Sequence, residues 1–269
     1  MNKKSHILLT NDDGFHAEGL QTLASYLKSI ALITIIAPDY ERSAVSHGIT
    51  MHQPLRAFPI DIDSQTHWMI NGTPADCVKL GIEHLMKLNP PDLIISGINR
   101  GPNLGTDVLY SGTVSAAIEG SLHRIPSIAA SLAVFYGKAD FKEAAAFIRE
   151  NLSRLNKLAA QTTLNLNFPA LNDGNGTDFQ EPQQRSSQFK GTKLTKLGIR
   201  LYQNVFEERT DPRGQTYYWM SGEPVTLNQA PDSDILAVEA GYISITPLHP
   251  DLTDQDFFLT GLTGLTGLD

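Results

Sequence analysis

Apolar and polar residues alternate along the first part of the chain in the rhythm of strands and helices. Short apolar runs typical of strands lie at His6–Thr10, Ala31–Ala37, Asp92–Ile98, Ile125–Leu132 and Thr163–Phe168. Between these runs, apolar residues at helical spacing or helix-favouring composition predict helices over Gly19–Ile30, Pro74–Leu88, Thr113–Leu122 and Asp140–Leu158. Strands that alternate with helices indicate a mostly parallel sheet covered on both faces. We therefore predict an α/β fold, a three-layer Rossmann-like core, over residues 1–190.

The pattern changes after Pro169. A stretch rich in Asn, Gly, Gln and Ser predicts a long loop over Asn172–Gly191. The turn signal Asp211-Pro212-Arg213-Gly214 predicts an extended hairpin over Lys193–Ser221, and a short helix and a last strand follow at Ser233–Gly241 and Tyr242–Leu248. The extension over residues 191–269 ends in a Thr-Gly-Leu repeat that reads as a frayed tail. It is too thin for its own core, so we expect it to pack on the core or to reach a neighbouring subunit.

Charge and composition exclude several classes of partner. The chain of 269 residues has a formal net charge of −8 and no run rich in Lys or Arg, which argues against a nucleic acid polymer as partner. The single cysteine, Cys77, rules out an intramolecular disulfide and a cysteine-based zinc site. The sequence contains neither a signal peptide nor a stretch that could span a membrane, so we predict a cytoplasmic protein without a membrane partner.

Two adjacent carboxylates stand at the end of the first predicted strand, in the sequence Ile7–Gly14. Asp12 and Asp13 would lie at the carboxyl edge of the sheet, where open α/β sheets bind ligands. Neighbouring carboxylates repel each other unless a cation lies between them, and oxygen ligands suit Mg²⁺, Mn²⁺ or Ca²⁺ better than zinc. The alternative is a solvated turn in which one of the two caps the next helix.

Further oxygen ligands are predicted at the ends of two other strands. Ser43 and Ser46 follow the second long apolar run, and Asn99 follows the third. Parallel neighbours would bring Ser43 and Asn99 to the edge that carries Asp12. Local side-chain to backbone hydrogen bonds are the alternative for the serines. The sequence leaves His47 open as a ligand, an acid or a surface residue. His249 and Asp251 are interpreted as structural residues that cap a turn or contact the extension or a second subunit.

The segment from Asp92 to Gly120 predicts an anion site. A buried strand leads into a loop with Gly101, Asn103 and Gly105, and a helix then starts at Ser111-Gly112-Thr113. The first N–H groups of a helix lack partners within it and carry partial positive charge, so a phosphate is the expected guest. Capping by Ser111 or Thr113 is compatible with that reading. The loop has neither the P-loop pattern nor the GxGxxG spacing of a dinucleotide fold.

Four blocks of the sequence resemble the SurE family, the survival-protein-E nucleotidases. They read ILLTNDDG with Gly19, APDYERSAVSHGIT, NGTPADCV and SGINRGPNLGTDVLYSGTVSAAIEG, and the later LNLNFP and GYISITPLHPDLT are also similar to the family. The resemblance extends from about Ile7 to Thr253. One departure is Ala44, which stands where the family pattern more often has glycine, so substrate preference is an open question.

The resemblance implies a metal-dependent phosphatase acting on nucleoside 5′-monophosphates, and in some members on 3′-monophosphates or short polyphosphate. It implies a metal held by Asp12, Asp13, Ser43 and Asn99, and places Asn103 and Ser111, Gly112 and Thr113 near the phosphate. It also implies an extension exchanged between subunits of a homodimer or homotetramer. We expect one divalent ion per subunit, Mg²⁺ or Mn²⁺, with Ca²⁺ as a substitute in crystals, and a small nucleotide as substrate.

The predicted mechanism is metal-assisted attack of water on phosphorus, with Asp12 or Asp13 as general base and the helix N–H groups stabilising the added charge. One alternative is a covalent mechanism in which Asp12 accepts the phosphoryl group. Another is a nucleotide-binding regulatory protein without turnover, because a fold does not fix a function. A scaffold that only assembles oligomers would leave the glycine loop unexplained.

Overall fold

The structure is a computed structural model that describes residues 4–135, 137–171, 188–220, 222–225 and 227–254. Most of the loop predicted over Asn172–Gly191 and the Thr-Gly-Leu tail lie outside the described residues.

The described strands and helices follow the alternation read from the sequence. The strands are β1 (His6–Thr10), β2 (Leu32–Pro38), β3 (Ala57–Ile62), β4 (Gln65–Ile70), β5 (Leu93–Arg100), β6 (Ser127–Ala133), β7 (Thr163–Pro169), β8 (Thr192–Leu194), β9 (Tyr202–Gln203), β10 (Phe206–Thr210), β11 (Thr216–Met220), β12 (Glu223–Pro224) and β13 (Ile243–Leu248). The α-helices are α1 (Glu18–Leu27), α2 (Pro74–Leu80), α3 (Gly112–Leu122), α4 (Lys142–Ala159) and α5 (Asp234–Glu239). A π-helical turn at Gly81–Leu85 continues α2, and a 3₁₀ helix at Gly105–Leu109 leads to α3.

Nine strands form one sheet in the order β3-β4-β2-β1-β5-β6-β7-β13-β8. The six strands from β4 to β7 in this order are parallel, whereas β3 and β13 run antiparallel to their inner neighbours. Parallel strands joined by helices present their carboxyl ends at a common edge. The ends of β1, β2 and β5 are therefore neighbours at that edge.

Helices cover both faces of the sheet because successive strand residues point to opposite sides. Leu9 of β1 packs with Leu23 of α1 and Ile148 of α4 in one apolar cluster. Leu8 points the other way and packs with Val78 of α2 and Ala116 of α3. This arrangement confirms the predicted α/β class and its three layers.

The structure also contains a hairpin that the sequence analysis did not identify. Strands β3 and β4 pair across a turn in which Asp63 and Ser64 both have positive φ, 49° and 62°. Such a turn favours Asp, Asn or Gly. The sequence did not indicate β3 because this strand contains Pro59 and most of its residues are exposed, so buried apolar and exposed polar residues do not alternate along it.

The predicted hairpin over residues 193–221 is divided in the structure. Lys193 and Leu194 belong to β8, which pairs in parallel with β13 in the main sheet. The antiparallel pair β10–β11 is the hairpin proper, and its turn holds Gly214 with Asp211. The strands β8 and β13 complete the sheet, so part of the extension belongs to it.

A search of the described residues for a helix long and apolar enough to cross a membrane finds none.

Candidate metal and phosphate site

A tight turn carries the two carboxylates at the end of β1. The Asn11 side-chain amide donates to the carbonyl of Gly14 at 2.9 Å, which closes the turn. The backbone N–H of Phe15 donates to the Pro38 carbonyl at 2.8 Å, and that of Arg42 donates to the Asp12 carbonyl at 2.7 Å. The turn is thereby fixed to the loop that follows β2.

Asp12 is buried and bonded to the start of α3. Its Oδ2 accepts the backbone N–H of Thr113 at 3.1 Å, and its Oδ1 accepts the Thr113 hydroxyl. Burial raises the pKa of the Asp12 carboxyl, although the hydrogen bonds from Thr113 oppose that rise. The acidic pair and the N-terminus of α3 therefore share one location.

Gly112 permits this close approach between helix and carboxylate. A Cβ added at Gly112 would lie 2.8 Å from the Asp12 Cβ and 2.9 Å from its Oδ2. Any larger residue would push the helix away from the first strand. The Gly112 N–H has no hydrogen-bond partner among the described residues, so it remains available to an anion.

Asp13 is less buried and faces the end of β5. Its Oδ2 accepts the backbone N–H of Arg100 at 3.2 Å, while its Oδ1 accepts no hydrogen bond within the described part of the chain. Burial, and then the neighbouring charge of Asp12, raise the pKa of Asp13 to about 7. A bound cation would relieve both of these effects.

Ser43 and Asn99 lie next to residues that touch the acidic pair. Arg42, beside Ser43, is bonded to Asp12, and Arg100, beside Asn99, is bonded to Asp13. The Ser43 hydroxyl donates to Glu41 at 2.7 Å, and the Asn99 amide nitrogen donates to the Gly101 carbonyl at 2.8 Å. Both donors are thus occupied, which leaves the oxygens of Ser43 and Asn99 as acceptors.

Asn103 lies in the glycine loop and is bonded to β6 and β7. Its side-chain amide donates to the Ser131 hydroxyl at 2.8 Å, and its carbonyl accepts from Asn165 at 2.9 Å and Asn167 at 3.0 Å. Its own N–H donates to Asn167 at 2.8 Å. Asn103 therefore fixes the glycine loop to β6 and β7. The same bonds explain why asparagines alternate with apolar residues along β7.

Ser111 caps α3, as the sequence allowed. Its hydroxyl accepts the N–H of Val114 at 3.0 Å, and its carbonyl accepts the Ser115 hydroxyl at 2.6 Å. Of the three residues at the helix start, Ser111 holds the cap, Thr113 holds Asp12, and Gly112 presents its N–H.

The loop after β2 is bonded to the residues that immediately precede α3. The Ser46 N–H donates to the Tyr110 carbonyl at 3.0 Å, and its hydroxyl donates to the Leu109 carbonyl at 2.7 Å. Ala44 has a φ of 55°, a left-handed conformation in which glycine costs less than alanine. The departure from the family pattern therefore lies at a position whose backbone suits glycine.

A buried carboxylate on α3 was not identified from the sequence. Glu119 accepts hydrogen bonds from His47 at 2.9 Å, Lys79 at 2.9 Å and His123 at 3.2 Å. The bond from His47, together with Lys79 and His123, lowers the pKa of Glu119 to about 2. The hydrogen bond from His47 to Glu119 thus ties the loop that carries Ser43 to α3, and no signal in the sequence pointed to this contact.

His249 and Asp251 form a local turn in which the Asp251 N–H donates to His249 Nδ1 at 3.0 Å. No bond in the described residues joins them to the acidic pair.

The donor set fits a hard divalent cation. The buried Asp12 and half-buried Asp13 lie at one edge of the sheet, with Ser43 and Asn99 next to residues bonded to them. Carboxylate, hydroxyl and amide oxygens are ligands of the kind that Mg²⁺ and Mn²⁺ take. The described residues hold no group of three or more His, Cys, Asp or Glu placed to bind a metal, so a histidine- or cysteine-rich centre has no counterpart there.

The fold and the site define a class of protein, an α/β protein with a paired-carboxylate and helix-terminus site at the carboxyl edge of its sheet. Residues 7–204 match the family model described as Survival protein SurE. The chain belongs to the SurE family, which confirms the resemblance seen in the sequence.

Relatives cover almost the whole chain. A protein of Pelotomaculum thermopropionicum named 5′-nucleotidase SurE is 52% identical over 255 residues, which are 92% of this chain and 90% of the relative. One of Heliobacterium modesticaldum with the same name is 51% identical over 92% of this chain and 87% of the relative. The crystal structure of the SurE protein from Aquifex aeolicus matches with a TM-score of 0.77 and 37% identity, over 94% of this chain and 97% of that one.

Proposed function

We propose that this protein is a metal-dependent nucleotidase that hydrolyses nucleoside 5′-monophosphates to nucleoside and phosphate. The observation that carries the proposal is the bond pair from Thr113 to Asp12, which joins the anion-binding helix terminus to the carboxylate pair. The names of the relatives, 5′-nucleotidase SurE, support the same reaction. Action on 3′-monophosphates and short polyphosphate belongs to the proposal on the ground of the family resemblance.

The residues divide the chemistry between them. Asp12, Asp13, Ser43 and Asn99 would hold one divalent ion, Mg²⁺ or Mn²⁺, which when bound supplies positive charge beside the phosphoryl group and lowers the pKa of water. The Gly112 N–H and the positive end of α3 would bind the phosphoryl oxygens and stabilise the charge added at phosphorus. Asn103 would support the loop that shapes this pocket.

Asp13 is the better placed of the two carboxylates to accept a proton. Both oxygens of Asp12 already hold Thr113, whereas the Oδ1 of Asp13 takes no hydrogen bond among the described residues. We assign Asp12 to hold the site together and Asp13 to serve as general base. A phosphoryl group transferred to Asp12 would disturb its hydrogen bonds with Thr113, whereas a bound cation needs only the second lone pair of an oxygen, so we favour the metal-dependent mechanism over the covalent one.

We also propose that the molecule works as a homodimer or homotetramer. The hairpin β10–β11 is exposed along both strands, and one of its faces carries Phe206, Tyr218 and Met220, each more than half exposed. Exposed apolar residues in such a cluster mark a protein contact. The cytoplasmic location stays a prediction from the sequence.

Phosphate release from a panel of nucleoside monophosphates tests the function. The wild-type protein would be assayed with EDTA and then with Mg²⁺ or Mn²⁺ restored, beside Asp13→Asn and a matched control, Asp63→Asn. Asp63 is an exposed carboxylate on the β3–β4 turn.

We expect release that EDTA abolishes, that metal restores, that Asp13→Asn lacks and that Asp63→Asn retains. Nucleotide binding without release under any metal would instead support the regulatory binder, and labelled phosphate trapped on acid-quenched protein would support the covalent mechanism.

A further inference from the structure

The glycine loop between β5 and α3 is contacted by the extension as well as by the sheet. The backbone N–H of Gly105 donates to the Oδ2 of Asp234, the first residue of α5, at 2.8 Å. Thr106, next in the loop, donates its hydroxyl to the Arg200 carbonyl at 2.6 Å. The loop that leads to Ser111 thus depends on residues more than ninety positions further along the chain.

Asp234 is fully buried and accepts N–H groups from three backbone positions. Besides Gly105, its Oδ1 accepts the N–H of Gly198 at 2.8 Å and that of Ile235 at 2.9 Å. No cation pairs with this carboxylate in the described residues. Burial raises the pKa of Asp234, and the three N–H bonds oppose that rise. A buried carboxylate satisfied entirely by backbone donors fixes the segments that supply those donors.

Close packing at Gly105 makes the contact specific. Gly105 has a φ of 55°, and a Cβ added there would lie 2.7 Å from the Gly198 carbonyl oxygen. The loop and the extension segment therefore lie backbone against backbone, with Asp234 bridging them. Within the loop, Asn103 is bonded to the sheet. The bond from Gly105 to Asp234 holds the loop at a second point, the start of the 3₁₀ helix.

The 3₁₀ helix connects Gly105 to the start of α3. Its residues run from Gly105 to Leu109, and the Ser111 N–H bonds back to the Val108 carbonyl at 3.4 Å. The carbonyls of Leu109 and Tyr110 in turn accept hydrogen bonds from Ser46, which lies in the loop that carries Ser43. A shift at Gly105 would reach both the helix terminus that binds phosphate and the loop that supplies a metal ligand.

We propose that Asp234 is a positioning residue for the phosphate site, through which the extension sets the conformation of the glycine loop. The inference rests on the proposed nucleotidase function for its kinetic consequence. The contact itself, in which the Asp234 carboxylate of α5 holds the glycine loop, does not depend on any activity of the protein.

The test compares Asp234→Asn with Asp232→Asn. Asp232 lies two residues away, is half exposed and pairs with Lys196 at 3.0 Å, so the control makes the same chemical change in the same segment. In Asp234→Asn an amide group replaces one carboxylate oxygen, and its N–H₂ would meet a backbone N–H. Kinetics, thermal unfolding and hydrogen–deuterium exchange of the peptide over residues 103–110 would be measured on all three proteins.

We expect Asp234→Asn to lower kcat by about 10- to 100-fold, as a small misplacement of a binding group does, with KM changed less than threefold. Amides of residues 103–110 should exchange at least tenfold faster, at temperatures where the variant is folded. The control should match the wild-type protein in both readouts.

Unchanged kcat and unchanged exchange in folded Asp234→Asn would overturn the proposal. A lower unfolding temperature with wild-type kcat per folded molecule would also overturn it, because a purely structural residue behaves that way. If the variant does not fold, the wild-type exchange decides: Gly105 must be as strongly protected as Asn103, and fast exchange at Gly105 contradicts the account. Since exchange needs no turnover, its result is independent of whether the protein is a nucleotidase.

Discussion

At the scale of single residues, the site depends on carboxylates whose environments differ. Asp12 is bound by Thr113, Asp13 has one oxygen without a hydrogen bond among the described residues, and Glu119 is bonded to Lys79 and two histidines. The carboxyl groups of one kind of side chain thus differ in burial, in hydrogen bonds and in pKa. The sequence identified Asp12 and Asp13 because they are adjacent and follow an apolar strand. It offered no signal for Glu119, since a single glutamate within a helix is ordinarily exposed.

Replacement of Asp13 by Asn should remove the stabilisation that metal gives to the fold. A ligand that binds only the native state stabilises it by about 2.7 kcal/mol when present at 100 times its Kd. Thermal unfolding of the wild-type protein should therefore shift upward when Mn²⁺ replaces EDTA, whereas Asp13→Asn should show little shift. An equal shift in the two proteins would remove Asp13 from the metal site.

Glu119 should make the fold resistant to acid. Its pKa in the folded state is about 2, below the ordinary glutamate value, so the stabilisation is complete above about pH 4.5 and is lost as pH falls toward 2. Because Lys79 is half exposed, solvent screening limits the contribution to about 1–2 kcal/mol.

The variant Glu119→Gln should therefore lose stability at pH 6 and show a weaker fall in stability between pH 4.5 and pH 2. Urea unfolding at several pH values measures both effects. If Glu119→Gln and the wild-type protein kept a constant difference across this range, the ion-pair account would be wrong.

At the scale of elements, helix α3 connects three parts of the site. Its first turn bonds Asp12, its N-terminus presents the Gly112 N–H, and its later turns carry Glu119. The sequence predicted its start from Ser-Gly-Thr to within one residue. The contact with Asp12 could not be predicted, because it joins positions 101 residues apart.

The substitution Gly112→Ala should separate α3 from Asp12. The added methyl group would lie within 3 Å of Asp12, so we expect kcat/KM to fall at least tenfold and stability to fall by about 1–3 kcal/mol. Gly120→Ala is the matched control, since its Cβ would press on Ser127 near the other end of the same helix.

Steady-state kinetics at a temperature where both variants are folded separates the two effects. The control should lose stability but keep its activity per folded molecule. Equal activity in both variants would show that the helix terminus has no special place in catalysis.

At the scale of the whole molecule, the alternation of strands and helices was readable because β1, β2 and most of β5 are continuous apolar runs. The strands at the two ends of the sheet and the short strands of the extension were harder to predict. Strands β3, β8 and β9 are short or largely exposed, so their period is weak, and the place of β8 beside β13 depends on pairing between distant segments. The bonds from Asp234 to the glycine loop belong to the same kind of long-range contact.

The exposed face of the β10–β11 hairpin should determine assembly. We expect the triple variant Phe206→Ser, Tyr218→Ser, Met220→Ser to have a smaller mass in solution than the wild-type protein, because these side chains share one face of the hairpin and their loss would remove its apolar surface. Light scattering coupled to gel filtration measures the mass. A wild-type monomer, or an unchanged oligomer in the variant, would refute this role of the hairpin.

The central claim is that four side chains from three strand ends form one metal site beside the phosphate-binding start of α3. Crystals grown with Mn²⁺ and inorganic phosphate test it directly through anomalous scattering. The account predicts one manganese peak per chain, within bonding distance of Asp12, Asp13, Ser43 and Asn99, and a phosphate that accepts the Gly112 N–H. A manganese peak bound by other residues, or a phosphate remote from α3, would contradict it.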